Sequence, residues 1–283
     1  MLGYLLYDNE GYRRNVWFSN ELVNYAKSIG VTLKVIIREK LNFSMINSKL
    51  CPVYDGFVID VPNFVINRCI DPFTAECFEF SGATVHNSAN VCRICNDKRL
   101  THAYFTRFGI QMADSIFINP AYDSPSPESY PVIIKSASGH GGSEVFMVND
   151  RDELEARMKQ LASPCLIQKP VSKLGRDLRV YVMGGKIICS VLRSCDKDFR
   201  SNFSLGGNAE LYTMTKEQKD LVYKVVKCLP FTFGGIDFIF DGDKMLLNEI
   251  EDIVGSRMIY SLTDMPVHEM LIDQIVNSHQ NRV

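Results

Sequence analysis

The chain has 283 residues, 46% of them hydrophobic, enough to bury one large core or two smaller ones. Lys and Arg total 31 against 33 Asp and Glu, a formal charge of -2 without a block of like charge, which argues against a nonspecific grip on nucleic acid. No stretch stays apolar for the roughly 20 residues that a membrane-crossing helix needs, and Met1 to Glu10 carry no basic leader, so a soluble cytoplasmic chain is expected.

The first segment, "LGYLLYD", reads as a strand, and "NVWFSNELVNYAKSIG" repeats apolar residues at helical spacing up to Gly30, a helix stop. "VTLKVII" returns to strand character, and "GFVIDV" near Gly56 and "TVHNS" near Thr84 extend the series. This β-α-β order predicts a small parallel-sheet domain over residues 1–90, and such sheets present ligands at the carboxyl ends of their strands. A helical pattern follows from Ala89 to Gly109, and the Pro- and Ser-rich run Ile118 to Pro131 is the best linker. Nine cysteines, an odd number, read as reduced thiols; Cys92 and Cys95 form a C-x-x-C without the second ligand pair that a zinc site requires.

From Val132 the pattern is strand, Gly loop, strand, a helix starting near Asp150, and the strand "CLIQKPV". "LRVYVM" and "KIICSVLR" flank Gly184-Gly185 as a hairpin, a helix runs from Thr215 to about Leu229, and "GGIDFIF" and "KMLLNEIE" form a second hairpin around Asp241-Gly242-Asp243. The expected fold class is therefore α/β in the first third and α+β in the remainder.

Period two puts Glu249 and Glu251 on one strand face, and the hairpin brings Asp237 opposite them. Three carboxylates on one face repel unless a cation sits among them, and hard oxygen donors suit Mg2+ or Mn2+. Lys135 ends the strand before "SGHGGS", a loop whose backbone N–H groups can fold over phosphate. Its Lys precedes the glycines, so it is neither a P-loop nor a dinucleotide fingerprint. Arg193, Arg200 and Asn202 flank a polar run suited to an anion, while His140 and His86 read as structural or substrate-orienting rather than as general bases. No Gly-x-Ser-x-Gly, Ser-x-x-Lys or Cys-His pairing supports nucleophilic hydrolysis.

Taken in order, "NDKRLTHAYFTRFGI", "PVIIKSASGHGGSEV", "LIQKPVSKLGRDLRVYV", "DFRSNFSLGG", "GGIDFIF" and "LLNEIE" resemble the ATP-grasp ligases, most closely the RimK-type amino-acid ligases, over about Asn87 to Gly255. The resemblance implies an ATP-grasp fold: a pre-ATP-grasp domain over 1–90, then an ATP-grasp domain over 91–283 whose two lobes, about 91–168 and 169–283, hold ATP between them. It places Lys98 and Lys135 on the phosphates and the loop from Gly139 to Ser143, with Gly141 and Gly142, as a lid. Gln168, Lys169 and Val171 would contact adenine and Asp177 the ribose. Arg200 and Asn202 would contact the transferred phosphate and metal, Arg193 the acyl phosphate, and Asp237, Glu249 and Glu251 the metal. Two departures stand out: Glu249-Ile250-Glu251 where the family has Glu-x-Asn, and Gln168 where many relatives have Glu.

The implied activity is an ADP-forming carboxylate-amine ligase that takes ATP, Mg2+ or Mn2+, and small-molecule or peptide acids and amines; nucleic-acid and membrane partners are not expected, and the resemblance allows a homo-oligomer. An ATP-binding module without ligase activity and a kinase that releases an acyl phosphate are the alternatives.

Overall fold

The computed structural model describes residues 1–119, 127–139, 141–161, 163–195, 198–199 and 207–280. The first third contains β1 (Leu2–Tyr7), α1 (Asn9–Arg14), α2 (Val16–Ser28), β2 (Thr32–Ile37), β3 (Leu41–Ile46), β4 (Lys49–Tyr54), β5 (Phe57–Val58), β6 (Phe64–Asn67), α3 (Pro72–Phe80) and β7 (Thr84–His86). Next come α4 (Ala89–Cys95), α5 (Lys98–Thr106), β8 (Ser115–Ile118), β9 (Val132–Ser136), β10 (Val145–Val148), α6 (Arg151–Leu161) and β11 (Cys165–Gln168). The last part holds β12 (Lys173–Met183), β13 (Lys186–Ser194), β14 (Asn208–Leu211), α7 (Lys216–Cys228), β15 (Phe233–Asp241), β16 (Lys244–Glu251), α8 (Arg257–Leu262) and α9 (Val267–Gln280).

The N-terminal sheet is parallel, in the order β2-β1-β6-β7. Its third member in the chain is "FVIN" in β6, not the predicted "GFVIDV": Phe57 and Val58 instead edge a separate antiparallel sheet, β3-β4-β5, and are 75% and 57% exposed. The reason is burial, since all four residues of β6 are covered, as a central parallel strand requires. The predicted linker also has a different place. β8 and β9 both pair with β11 in one antiparallel sheet, β10-β9-β11-β8, so the run from Ile118 to Pro131 joins two strands of one lobe; residues 120–126 of it lie outside the described set.

The central element is the antiparallel sheet β14-β13-β12-β15-β16. Along β12, Leu178, Val180 and Val182 face one core with α4, α5 and α7, while Tyr181 and Met183 face another with α2, α8 and α9. That second core also holds Leu5, Phe18, Leu22 and Phe64, so the parallel sheet and the five-stranded sheet share one apolar layer. The C-terminal helix α9 closes this layer against α2, where the Tyr25 hydroxyl lies 2.9 Å from an Asp273 carboxylate oxygen. Gly184 and Gly185 both have positive φ (54° and 79°), which a two-residue hairpin turn requires, and Thr215 caps α7 through a reciprocal box with Gln218. Among the described residues no helix is long and apolar enough to cross a membrane.

Candidate functional site

The acidic centre is a product of strand register. Asp237 on β15 faces Glu249 on β16, and the pairing then slips so that Phe238 faces Leu247, leaving Asn248 as the extra residue of a bulge. Carboxylate oxygens of Asp237, Glu249 and Glu251 all lie within 4.8 Å of one another. Arg179 on β12 stands in register with Asp237, donating from Nε to Oδ1 (2.7 Å) and from Nη2 to Oδ2 (2.6 Å), and reaches Glu251 Oε1 at 2.5 Å. Arg193 on β13 stands opposite Asp177 and donates to both of its carboxylate oxygens (2.5 and 2.8 Å) and to Asp237 Oδ2 (2.8 Å).

Four adjacent strands thus carry a row of alternating charge, in which Asp177, Arg193, Asp237 and Arg179 are buried and Glu251 is half-buried. Burial pushes the Asp237 carboxyl up, but Arg179 and Arg193 outweigh it and hold the group at about 2. For Glu251 burial wins over Arg179, with Asp237 and Glu249 adding repulsion, and its carboxyl is raised.

Cations meet this row from the other side. Lys135, at the end of β9, donates to Asn248 Oδ1 (3.0 Å); burial, with Lys98 nearby, pushes its ammonium down to about 8 against the pull of Glu249. Lys98, the first residue of α5, lies 3.6 Å from Glu249 Oε2 and donates to the Gly139 carbonyl, tying the helix start to the Gly loop. Gly141 and Gly142 have φ of 66° and 78°, the left-handed region that favours glycine.

One open cleft of about 800 Å³ gathers Lys98, Lys135, Gly141, Gly142, Gln168, Lys169, Val171, Asp177 and Glu249. Gln168 donates from Nε2 to Ser115 Oγ (3.0 Å) and lies 3.4 Å from His102 Nε2. Burial, with Lys135 and Lys98 nearby, holds the His102 imidazole down to about 4, so it is neutral at pH 7. These contacts occupy the amide nitrogen of Gln168 and leave its Oε1 as the acceptor.

Arg193 lines neither this cleft nor the next one, its Nε and Nη2 being committed to Asp177 and Asp237; the sequence had assigned it to an acyl phosphate. Arg200, Asn202 and His140 lie outside the described residues. His86 is the last residue of β7, its Nδ1 2.7 Å from Thr232 Oγ1, and it lines a third cleft. Cys92 and Cys95 are buried free thiols in α4; burial pushes Cys92 up to about 12 and Cys95 well above its ordinary value.

Sequence reading missed Arg179, Asn248 and His102. Arg179 had a signal, two residues after Asp177 on one strand and so on the same face. Asn248 had none, since the bulge that turns it toward Lys135 is a matter of pairing.

A second cleft, of about 1110 Å³, opens on the other side of the acidic centre and shares Lys98, Gly141 and Glu249 with the first. Its walls include Tyr7, Asp8 and Arg68 from the carboxyl ends of the adjacent strands β1 and β6, and Glu251, Asp252, Gly255 and Arg257 from the end of β16 to the start of α8.

Comparison with known proteins gives this geometry a family. Over 271 residues the chain is 26% identical to the alpha-aminoadipate–LysW ligase LysX of Sulfurisphaera tokodaii, covering 92% of this chain and 94% of that one. It is 28% identical over 258 residues to human N-acetylaspartylglutamate synthase A, covering 87% of this chain and 66% of that protein. The RimK domain ATP-grasp protein of Sphaerobacter thermophilus superposes with a TM-score of 0.71 over 98% of this chain and all of that chain (100%), at 16% identity, a likeness of fold. The profile of the RimK-like ATP-grasp domain matches residues 96–275, and with that match the chain belongs to the RimK-like ATP-grasp family.

Proposed function

We propose that this carbon–nitrogen ligase activates a carboxylate with Mg-ATP and joins it to an amine, linking an amino acid to a peptide, protein tail or small metabolite and releasing ADP and phosphate. The observation that carries this reading is the wall between the two clefts: Lys98, Gly141 and Glu249 line both, so a phosphoryl group on one side and a carboxylate on the other would meet at the acidic centre.

The donor set of three carboxylates within 4.8 Å fits a hard divalent cation, Mg2+ or Mn2+. Such an ion, held by Asp237, Glu249 and Glu251, would supply charge neutralisation for the phosphates. Lys98 and Lys135 bind phosphate oxygens, Gly141 and Gly142 close over them, and Gln168 Oε1, Lys169 and Val171 hold adenine. Asp177 would bind the ribose, and Arg200 and Asn202, which lie outside the described residues, would contact the transferred phosphate. Arg193 orients Asp177 and Asp237 through three of its five N–H donors and would hold the acyl phosphate through the remaining Nη1.

A carboxylate oxygen attacks the γ-phosphorus and the bond to ADP breaks, giving an acyl phosphate. The amine nitrogen then attacks the carbonyl carbon, phosphate leaves with the C–O electron pair, and the ammonium proton passes to solvent. Excluding water from the junction protects the intermediate from hydrolysis.

The test incubates the protein with Mg-ATP, pooled amino acids and candidate acids, following ADP, phosphate and products by mass spectrometry. Acceptor-dependent ADP with a product one water lighter than its combined reactants supports ligation. Accumulation of a phosphorylated acid without amide would make the chain a kinase, and tight Mg-ATP binding with no turnover a binding module.

A further inference from the structure

Gln168, at the end of β11, is the register partner of Ser115, the first residue of β8, and His102 reaches both from α5. Gln168 and His102 are 3% and 5% exposed, and of the three residues only Gln168 lines the first cleft. The proton positions in this cluster follow from its one fixed end. The Ser115 hydroxyl lies 2.8 Å from the Ala113 carbonyl, which can only accept, so the hydroxyl proton is committed there and Ser115 Oγ is an acceptor towards its other neighbours. His102 Nδ1, 3.3 Å from that oxygen, then carries the imidazole proton, and because the ring is neutral its Nε2 is a bare acceptor. One terminal amide atom of Gln168 lies 3.0 Å from Ser115 Oγ and 3.4 Å from His102 Nε2. Both neighbours accept, so that atom is the nitrogen, with one proton for each. Turned over, the amide would set its oxygen against two lone pairs in a buried site. A backbone carbonyl thus determines, through two side chains outside the cleft, that Gln168 shows the cleft its oxygen and not its NH2.

We infer that Ser115 and His102 are positioning residues for nucleotide choice: by locking Gln168 Oε1 towards the base, they select a purine with an amine at its 6-position over one with a 6-oxo group. This rests on the ATP reading of the first cleft and deepens it, naming what distinguishes adenine there. A 6-amine donates to Oε1, whereas a 6-oxo group would set acceptor against acceptor. An unlocked Gln168 could turn over and donate to the 6-oxo group, so the selectivity belongs to the network and not to the glutamine alone.

Equilibrium titration of the full chain with Mg-ADP and Mg-IDP, which differ at the 6-position and the adjoining N1, tests this together with 15N NMR of the His102 ring. The wild type is expected to bind Mg-ADP at least about 30-fold more tightly than Mg-IDP, and His102 to show the Nδ1–H tautomer before nucleotide is added. In Ser115→Ala the amide is free to turn and His102 to adopt the Nε2–H tautomer, and the preference should fall at least about tenfold with the fold intact by circular dichroism. Ser115→Thr keeps the hydroxyl and should keep the preference. In a Gln168→Glu background, where either carboxylate oxygen accepts, adding Ser115→Ala should leave the preference unchanged. An Nε2–H tautomer in the wild type, or an undiminished preference in folded Ser115→Ala protein, overturns the inference. Failure of the ATP reading shows separately, as absence of binding of both diphosphates by the wild type.

Discussion

Asp237 and Glu249 face each other across one strand pair and share one proposed role, yet their replacement should have opposite consequences. Asp237 is 1% exposed and accepts three hydrogen bonds from two arginines, at 2.7, 2.6 and 2.8 Å. In Asp237→Asn one carboxylate oxygen becomes an amide nitrogen that points donors at donors, so at least one charge-assisted bond is lost and the charge that joins Arg179 to Arg193 is removed, leaving Glu251 and Asp177 as their separate partners. Breaking a buried pair in this way costs about 3–5 kcal/mol. Glu249 has its nearest ionic partner, Lys98, at 3.6 Å, and its side chain is 29% exposed; Glu249→Gln should cost no more than about 1 kcal/mol. Urea unfolding followed by circular dichroism at 25 °C gives both numbers, and Mg-ATP titration of the folded proteins gives the other half: Glu249→Gln should stay folded and lose affinity at least tenfold. An Asp237→Asn protein within 1 kcal/mol of wild type would refute the account of the buried row as a structural network.

Lys135→Met should leave the fold intact, since its described hydrogen bond is to Asn248 alone, and weaken ATP by at least about 30-fold in an equilibrium binding assay; unchanged affinity would remove Lys135 from the phosphate site. Acid stability should show two opposing slopes. His102, lowered from 6.5 to about 4, contributes stability present above pH 6.5 and lost as pH falls toward 4, about 3 kcal/mol in all. Asp252, raised from 3.8 to about 6 by burial, does the reverse: its contribution is present below pH 3.8 and lost as pH rises through 6, again about 3 kcal/mol. The two nearly cancel in the wild type between pH 4 and 6, so Asp252→Asn should expose a rise of stability with pH and His102→Gln a fall; parallel curves for both variants would contradict this. Gly175→Ala should cost at least about 2 kcal/mol in the same unfolding assay, because φ is +66° and a Cβ would overlap the Cys195 carbonyl oxygen and come within 2.9 Å of that of Asp198; a neutral effect would show that the backbone can shift there.

Local pattern carried much of the fold. Period two on "LRVYVM" and "KIICSVLR", with Gly184-Gly185 between them, identified β12 and β13, and the alternation of Glu249 with Glu251 put both acids on one face, because side-chain direction along a strand depends only on the backbone. The ordered motifs from Asn87 to Gly255 carried the family, now supported by the match over residues 96–275.

Pairing and long-range packing are invisible to those patterns. That "FVIN" and not "GFVIDV" completes the parallel sheet was decided by which segment is covered on both faces, and that the Pro-rich run is a loop within one sheet was decided by β8 and β9 both pairing with β11. The bulge that frees Asn248 for Lys135 and the commitment of Arg193 to two aspartates 16 and 44 residues away are facts of tertiary structure for the same reason. Sequence spacing determines which way a side chain points along its own strand, but the charge that meets it comes from another strand, and only the folded sheet brings the two together.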